Sequence, residues 1–430
     1  MTSVFSADWV LPVDGDPVEE GAVAWEDDTI TAVGRRAELG EGERFDGAAI
    51  VPAFVNAHSH LEYAVYAGFG DGQPFGPWLA THIERKGRIA WEEFLAIARL
   101  GAANCLRSGI GTVGDASFSG AAAHAAEELG LRASVYLEVF GTDQDEAAER
   151  LDELLARADA GEGARLGVSP HAPYSVSPDV YRMTYARGLP VATHVAESDD
   201  ELDYLLQGEG PIAAVSEVDP PGTTPVRHLA REGLLEPRVV AAHCVKVDEE
   251  EIELLARHDV GVAHCPRSNA LLGCGIAPLR ALLDAGVRVG LGTDSPASTP
   301  SFDVFDEMRA AVYAARARAE RPDALSGEEA LELATLGAAR ALGLGNEVGS
   351  LAPGKRADLA VVSLTGSPYL PWEDPAAAVV FGGSPERVLV TVVDGEERYR
   401  KGGMAWHELR HAAAEARGRL LGARPLAQKT

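Results

Sequence analysis

Cysteine is scarce in this chain, and positive charge is scarcer than negative. The four cysteines among 430 residues, Cys105, Cys244, Cys265 and Cys274, make no C-x-x-C pair. That spacing excludes a disulfide framework and a cysteine-based zinc knot. Buried, reduced thiols in a cytoplasmic protein are the reading that follows. Lys and Arg number 38 against 66 Asp and Glu, a formal net charge of -28. Such a surface repels phosphate backbones and anionic lipid, so nucleic-acid polymers and membrane surfaces are excluded as partners. Long apolar runs are missing too: none reaches the roughly 18 residues a membrane span needs. The opening MTSVFSADWVLPVDG has no basic region leading into an apolar core, so no signal peptide is expected.

What is present is a large apolar fraction, 46%, enough for a sizeable core. The first 48 residues read as short strands broken by turns, as in SVFSADWVLP and GAVAWEDDTITAVG. ADLAVVSL, AAAVVFGG and PERVLVTVVDGEERY near the other end read the same way. One small β-sandwich domain built from both chain ends, residues 1–48 and 352–400, is the simplest account. Residues 401–430 have helical periodicity and form an outer tail. Between these ends, eight apolar strand candidates alternate with helical stretches: AIVPAFVNAH, GIGTVGDAS, LRASVYLEVFG, ARLGVSPHA, LPVATHVAE, RVVAAHCV, VGVAHCP and VRVGLGTD. Repetition of this kind predicts an α/β fold, a (β/α)8 TIM barrel over residues 49–351.

Polar residues gather where these strands end. The first closes on His58-Ser-His60, the fourth on His171, the fifth on His194 with Glu197 beyond it. The sixth closes on His243, the seventh carries His264 and the eighth closes on Asp294. Barrels of this type place their chemistry at the C-terminal ends of the strands. Side chains at i and i+2 on a strand share a face, so His58 and His60 point together into the mouth. With His194 and Asp294 they make a cage for one divalent metal: zinc first, with iron or manganese as alternatives. An open position there would hold water, whose pKa zinc lowers to about 7. Glu197 is the candidate to move protons between that water, a ring nitrogen and a leaving amine. His243 is the candidate to orient the water and stabilise charge at the attacked carbon.

The segments FVNAHSHLE, GVSPHAPYSVSP, THVAES, VAAHCVKVDEEEIELLA, VAHCPRSNALLGCGIAPL and VGLGTDSPASTPSFDVFDEMRAA resemble the amidohydrolase superfamily, in particular its aminohydrolase branch of nucleoside and base deaminases and chlorotriazine hydrolases. The resemblance runs from about Ser3 to Arg400. It implies a mononuclear site with ligands at His58, His60, His194 and Asp294, acid–base work at Glu197, water orientation at His243 and catalytic involvement of Asp294. Binuclear members carry a bridging lysine on the fourth strand, and ARLGVSPHAPY has none. The resemblance also implies substrate contact at His171 and a lid in GDGQPFGPWLATHIERK, where Trp78 could stack on a base or sugar. Glu138, at the end of the third strand, is a further candidate for substrate contact.

HSHLE, PFGPWL and HCPRSNALLGCG are most similar to members that deaminate 6-aminodeoxyfutalosine, an adenine nucleoside with a benzoate-bearing 5′ side chain from the futalosine route to menaquinone. A carboxylate there calls for a cation, with Arg85, Lys86 and Arg88 on the lid and Arg267 beside the seventh strand as candidates. The expected partner is therefore a small purine nucleoside-like molecule, and a homodimer is compatible with the resemblance. Alternatives within the branch are a 5′-methylthioadenosine, S-adenosylhomocysteine or adenosine deaminase, a guanine deaminase and a chlorotriazine-type hydrolase. Outside it stands a barrel kept only as a scaffold, which the presence of all four ligands and Glu197 disfavours.

Overall fold

The computed structural model describes residues 2–159, 161, 164–368 and 374–422. Eight parallel strands form the central sheet: β1 (Phe54–Ser59), β2 (Ile110–Ser117), β3 (Arg132–Val139), β4 (Ala164–Pro170), β5 (Val191–Val195), β6 (Val239–His243), β7 (Gly261–His264) and β8 (Arg288–Leu291). Each pairs with its neighbour in sequence, from β8 through to β1. The strands are almost wholly buried, which is why they read as continuous apolar runs rather than alternating ones.

The circle closes where β8 meets β1. The Asp294 N–H donates to the His58 carbonyl at 2.9 Å. Beside it, Asn56 exchanges hydrogen bonds with Thr293, donating to its hydroxyl at 2.7 Å and accepting from its backbone N–H at 2.9 Å. Gly292 makes this seam possible, because a Cβ there would come within 2.9 Å of the His58 backbone nitrogen and Cβ. Helices between the strands start on side chains that cap them: Asp143, Ser177, Ser198, Asp248 and Asp303 each accept from backbone N–H groups of the first turn.

Both chain ends build one mixed sheet of eight strands. Glu43–Pro52 lies at its centre, between Thr2–Val10 on one side and Leu359–Ser363 on the other. The pleat divides its residues cleanly. Ala48 and Ile50 face a separate core with Phe5, Trp25, Leu359 and Val390, whereas Ala49 and Val51 face the main core shared with the barrel. The sheet curls over its own core, so that the Trp25 indole donates to the Gly395 carbonyl at 3.1 Å. This gives sandwich-like packing from a sheet that is continuous in its hydrogen bonds. Strand Glu43–Pro52 runs past residue 48, and barrel strand β1 begins at Phe54. In sequence, Ala-Ile-Val-Pro, buried on both faces, reads like the start of a barrel strand.

The helix Trp406–Leu420 packs on the helix Trp91–Arg107. The four cysteines are buried and unpaired. Among the described residues no helix is long and apolar enough to cross a membrane.

Candidate active site

The C-terminal mouth of the barrel opens into a cavity of about 260 Å³. His58 and His60 reach it through a local irregularity: the β1–β2 register shifts between Asn56 and Ser59. Asp115 on β2 fixes that turn, accepting from the Ser59 hydroxyl at 2.9 Å and the Leu61 N–H at 2.7 Å. The His58 ring lies 4.9 Å, centre to centre, from both His60 and His194, and His60 lies 5.6 Å from His194. Donor atoms of all three fall within 4.8 Å of one another. The Asp294 Oδ1 stands 3.6 Å from His58 Nε2 and 3.5 Å from His60 Nε2.

Burial favours the neutral, metal-competent form of His60, His194 and His243. It pushes His194 down to about 3, with help from neighbouring His58 and His243. It takes His60 well below its ordinary value and His243 to about 4. Burial pushes the Asp294 carboxyl up, but the imidazoles of His58, His243 and His60 outweigh it and hold the group well below the usual range. Neutral imidazoles around an ionised carboxylate are the donor set a divalent cation requires. At the centre, the buried His58 Nε2, 3.6 Å from Asp294 Oδ1, has no hydrogen-bond partner. Orphaned lone pairs in a buried cluster are costly unless a cation takes them up.

Surrounding groups fix these orientations. His194 Nδ1 bonds the His171 carbonyl at 2.9 Å, leaving Nε2 for the centre. Asp294 Oδ2 accepts from Ser268 and Ser298 hydroxyls at 2.6 and 2.7 Å, and Oδ1 accepts from the Ser295 N–H at 2.7 Å. Such outer partners orient ligating groups. Ala196, His243, Cys244 and Asp294 all adopt positive φ, between 46° and 75°, a concentration of backbone strain typical of functional sites.

Glu197 follows β5 and immediately precedes Ser198, the cap of helix Asp199–Gln207. Its Oε1 lies 3.6 Å from His243 Nε2. Burial, then Asp294 and Glu201, push its carboxyl well above the ordinary value. Glu201, fully buried, accepts from the backbone N–H groups of Ala196 and Glu197 at 3.2 and 2.7 Å and pins the strained turn. On the other side, His243 Nδ1 bonds Asn269 Oδ1 at 3.0 Å, turning Nε2 toward Glu197.

The sequence-derived candidates divide here. His60, His171, His194, Glu197, His243, Asp294, Glu138 and Trp78 all line the cavity, and His58 stands directly behind it. His171 Nδ1 bonds the Ser175 hydroxyl at 2.7 Å. Trp78 lies on the lid helix Phe75–Lys86, its ring stacked 5.5 Å from His82 and its indole N–H donating to the Ala297 carbonyl at 3.3 Å.

Arg267 is corrected: it does not line the cavity. Its guanidinium is buried on Glu307 and donates to the Ser301 carbonyl at 2.7 Å, a structural pairing that holds helix Val304–Ala319. Arg85 lies over the Phe69 ring and Arg88 pairs with Glu84. Of the four basic candidates only Lys86 reaches the cavity, and it is the only Lys or Arg on that wall among the described residues. His264 is buried but does not line the cavity.

Sequence reasoning passed over Tyr63 and His82. Tyr63 stacks on His60 at 5.4 Å, and His82 packs edge-on against Tyr63 at 4.5 Å. The signal was present: His82 stands four residues after Trp78, hence on the same helical face.

An eight-stranded β/α barrel with neutral imidazoles and an ionised carboxylate gathered at its C-terminal mouth is a barrel enzyme with a divalent-metal site. The chain belongs to the amidohydrolase family, whose model matches residues 49–398, and it is a hydrolytic enzyme of the aminohydrolase type. It is 36% identical, over 88% of each chain, to a 5-methylthioadenosine/S-adenosylhomocysteine deaminase of Pelotomaculum thermopropionicum. It is 33% identical to a 5′-deoxyadenosine deaminase of Methanothermobacter thermautotrophicus, over 91% of this chain and 92% of the other. Among solved structures, a zinc-bound adenosine deaminase from Xanthomonas campestris superposes with a TM-score of 0.88 at 29% identity, over 98% of both chains.

Proposed function

We propose that this protein is a hydrolytic deaminase that releases ammonia from C6 of an adenine nucleoside. The convergence of Glu197 and His243 on the imidazole–Asp294 cluster, inside an aromatic-walled cavity, carries this reading. His58, His60, His194 and Asp294 would hold one divalent cation, zinc in the first place. When bound, that cation supplies the Lewis acidity that makes water nucleophilic near neutral pH.

The side chains do the rest. Glu197 takes the proton from the attacking water and delivers it to purine N1 as C6 becomes tetrahedral. It then moves the second proton to the amine, and ammonia leaves. His243, held by Asn269, presents Nε2 to the attacking oxygen. Tyr63, Phe75, Trp78, Phe140 and Tyr174 give the purine and sugar an apolar enclosure.

The first-choice substrate is 6-aminodeoxyfutalosine. The cavity mouth carries Ile83 and Val215, both exposed, and this apolar rim suits a large aromatic 5′ substituent. A second reading, 5′-methylthioadenosine, S-adenosylhomocysteine or 5′-deoxyadenosine, is supported by the names of the relatives. Ammonia release from a panel of these nucleosides with adenosine and guanine tests both. The highest kcat/KM identifies the substrate, and release from none of them rejects the deaminase reading.

A further inference from the structure

Glu138, Lys86 and Tyr63 line one cavity, and none of the three side chains makes a hydrogen bond with a described residue. Glu138, at the end of β3, is only 4% exposed and accepts no hydrogen bond from any described residue. The carboxylate lines the cavity, and burial pushes it up to about 7. The Lys86 ammonium comes down from the lid helix and is held by two aromatic faces, 4.1 Å from the centre of Phe118 and 4.6 Å from that of Phe140. It makes no hydrogen bond or close ion pair, although Glu138 is the carboxylate that influences it most. Tyr63 lines the same cavity, its hydroxyl makes no hydrogen bond with a described residue, and Glu138 is its strongest charged neighbour.

A donor, an acceptor and a hydroxyl that can do both thus face the same space without bonding one another. A carboxylate placed there would gain Lys86 but meet Glu138. A hydroxyl can accept from Lys86 and donate to Glu138 at once. Two adjacent hydroxyls would engage all three groups.

We propose that Glu138, with Lys86 and Tyr63, forms the subsite that recognises the vicinal hydroxyls of the substrate's ribose, making Glu138 a specificity-determining residue. This rests on the nucleoside reading above and adds to it which part of the nucleoside meets this wall. Lid closure and sugar recognition are then one event, because Lys86 belongs to the lid.

The metal-loaded enzyme is assayed with adenosine and 2′,3′-dideoxyadenosine, either being measured as a competitive inhibitor if it is not turned over. The wild type should prefer the ribonucleoside by about 100-fold, since a buried polar group built for a hydroxyl is left unpaired by its absence. In Glu138→Gln and in Lys86→Met that ratio should fall to about 10-fold or less, with the dideoxy compound handled almost as before. Metal content and melting temperature establish that the variants are intact. If Glu138→Gln does not fold, the wild-type ratio and Lys86→Met still decide. A wild-type ratio near one, or variants that weaken both compounds equally, overturns the subsite while leaving the deaminase intact. So does a Lys86→Met effect confined to substrates with a 5′ carboxylate. Absence of ammonia from every nucleoside overturns the underlying reading as well.

Discussion

Asp294 is locked to His58 through main chain and side chain together: its N–H donates to the His58 carbonyl at 2.9 Å, and its Oδ1 stands 3.6 Å from His58 Nε2. The closure of the barrel and the assembly of the proposed metal site therefore share one contact. Replacing the carboxylate should damage both. Asp294→Asn should purify with little metal and melt earlier than the wild type. The milder Ser268→Ala/Ser298→Ala pair, which strips two donors from Oδ2, should weaken metal affinity by about 10- to 100-fold. Metal analysis after dialysis against a graded chelator series measures both, and unchanged retention in Asp294→Asn would remove it from the ligand set.

Chelation of the wild type should lower its melting temperature, because a ligand bound only by the folded state stabilises it by mass action. At a free metal concentration 100-fold above Kd the difference corresponds to about 2.7 kcal/mol. Melting curves recorded with and without chelator, and again after zinc is restored, give the result. Equal curves would mean that no tightly bound cation supports the fold.

Glu197→Gln should retain metal and fold but lose turnover by about 10²- to 10⁴-fold, the usual weight of a positioned acid–base group. The amide keeps the size and cannot carry the proton. Near wild-type kcat in a metal-replete Glu197→Gln sample would assign the proton transfer elsewhere.

How much of this was legible in the chain follows from where the physics is local. The strand ends were readable because the barrel strands are buried apolar runs with polar residues at or just beyond their ends, and the structure gathers His58, His194, His243 and Asp294 at the barrel mouth. The i, i+2 spacing of His58 and His60 gave a shared face even though the register shifts between Asn56 and Ser59. Ser268, Ser298 and Asn269 were invisible as supports, since their importance lies in bonds to residues 26, 4 and 26 positions away. Arg267 misled for the same reason: its partner Glu307 lies 40 residues on, and an arginine near a strand end looks free until that partner is seen.

Asn269 supplies a prediction that separates positioning from ligation. Its Oδ1 receives His243 Nδ1 at 3.0 Å and so selects the tautomer with a lone pair on Nε2. Asn269→Ala should lower kcat by about 10- to 100-fold, the range for losing an outer orienting partner. Metal content should stay at the wild-type level. A variant that loses metal in step with activity would move His243 from positioning the attacking oxygen into the ligand set.

His264 sets a pH dependence that is independent of catalysis. It is buried, its Nδ1 has no hydrogen-bond partner, and burial pushes it down to about 3. An unfolded chain titrates the same group near its ordinary 6.5. Between those values the unfolded state binds the proton and the folded state does not, so folding stability falls as pH falls through that window. The slope is about 1.4 kcal/mol per pH unit while the difference is a full proton. His264→Gln removes the titration without opening a large cavity. Its melting temperature should therefore drop less than that of the wild type between pH 7 and pH 5. Identical drops in the two proteins would show that His264 takes up its proton in the folded state, and that a donor-accepting environment surrounds the ring at low pH.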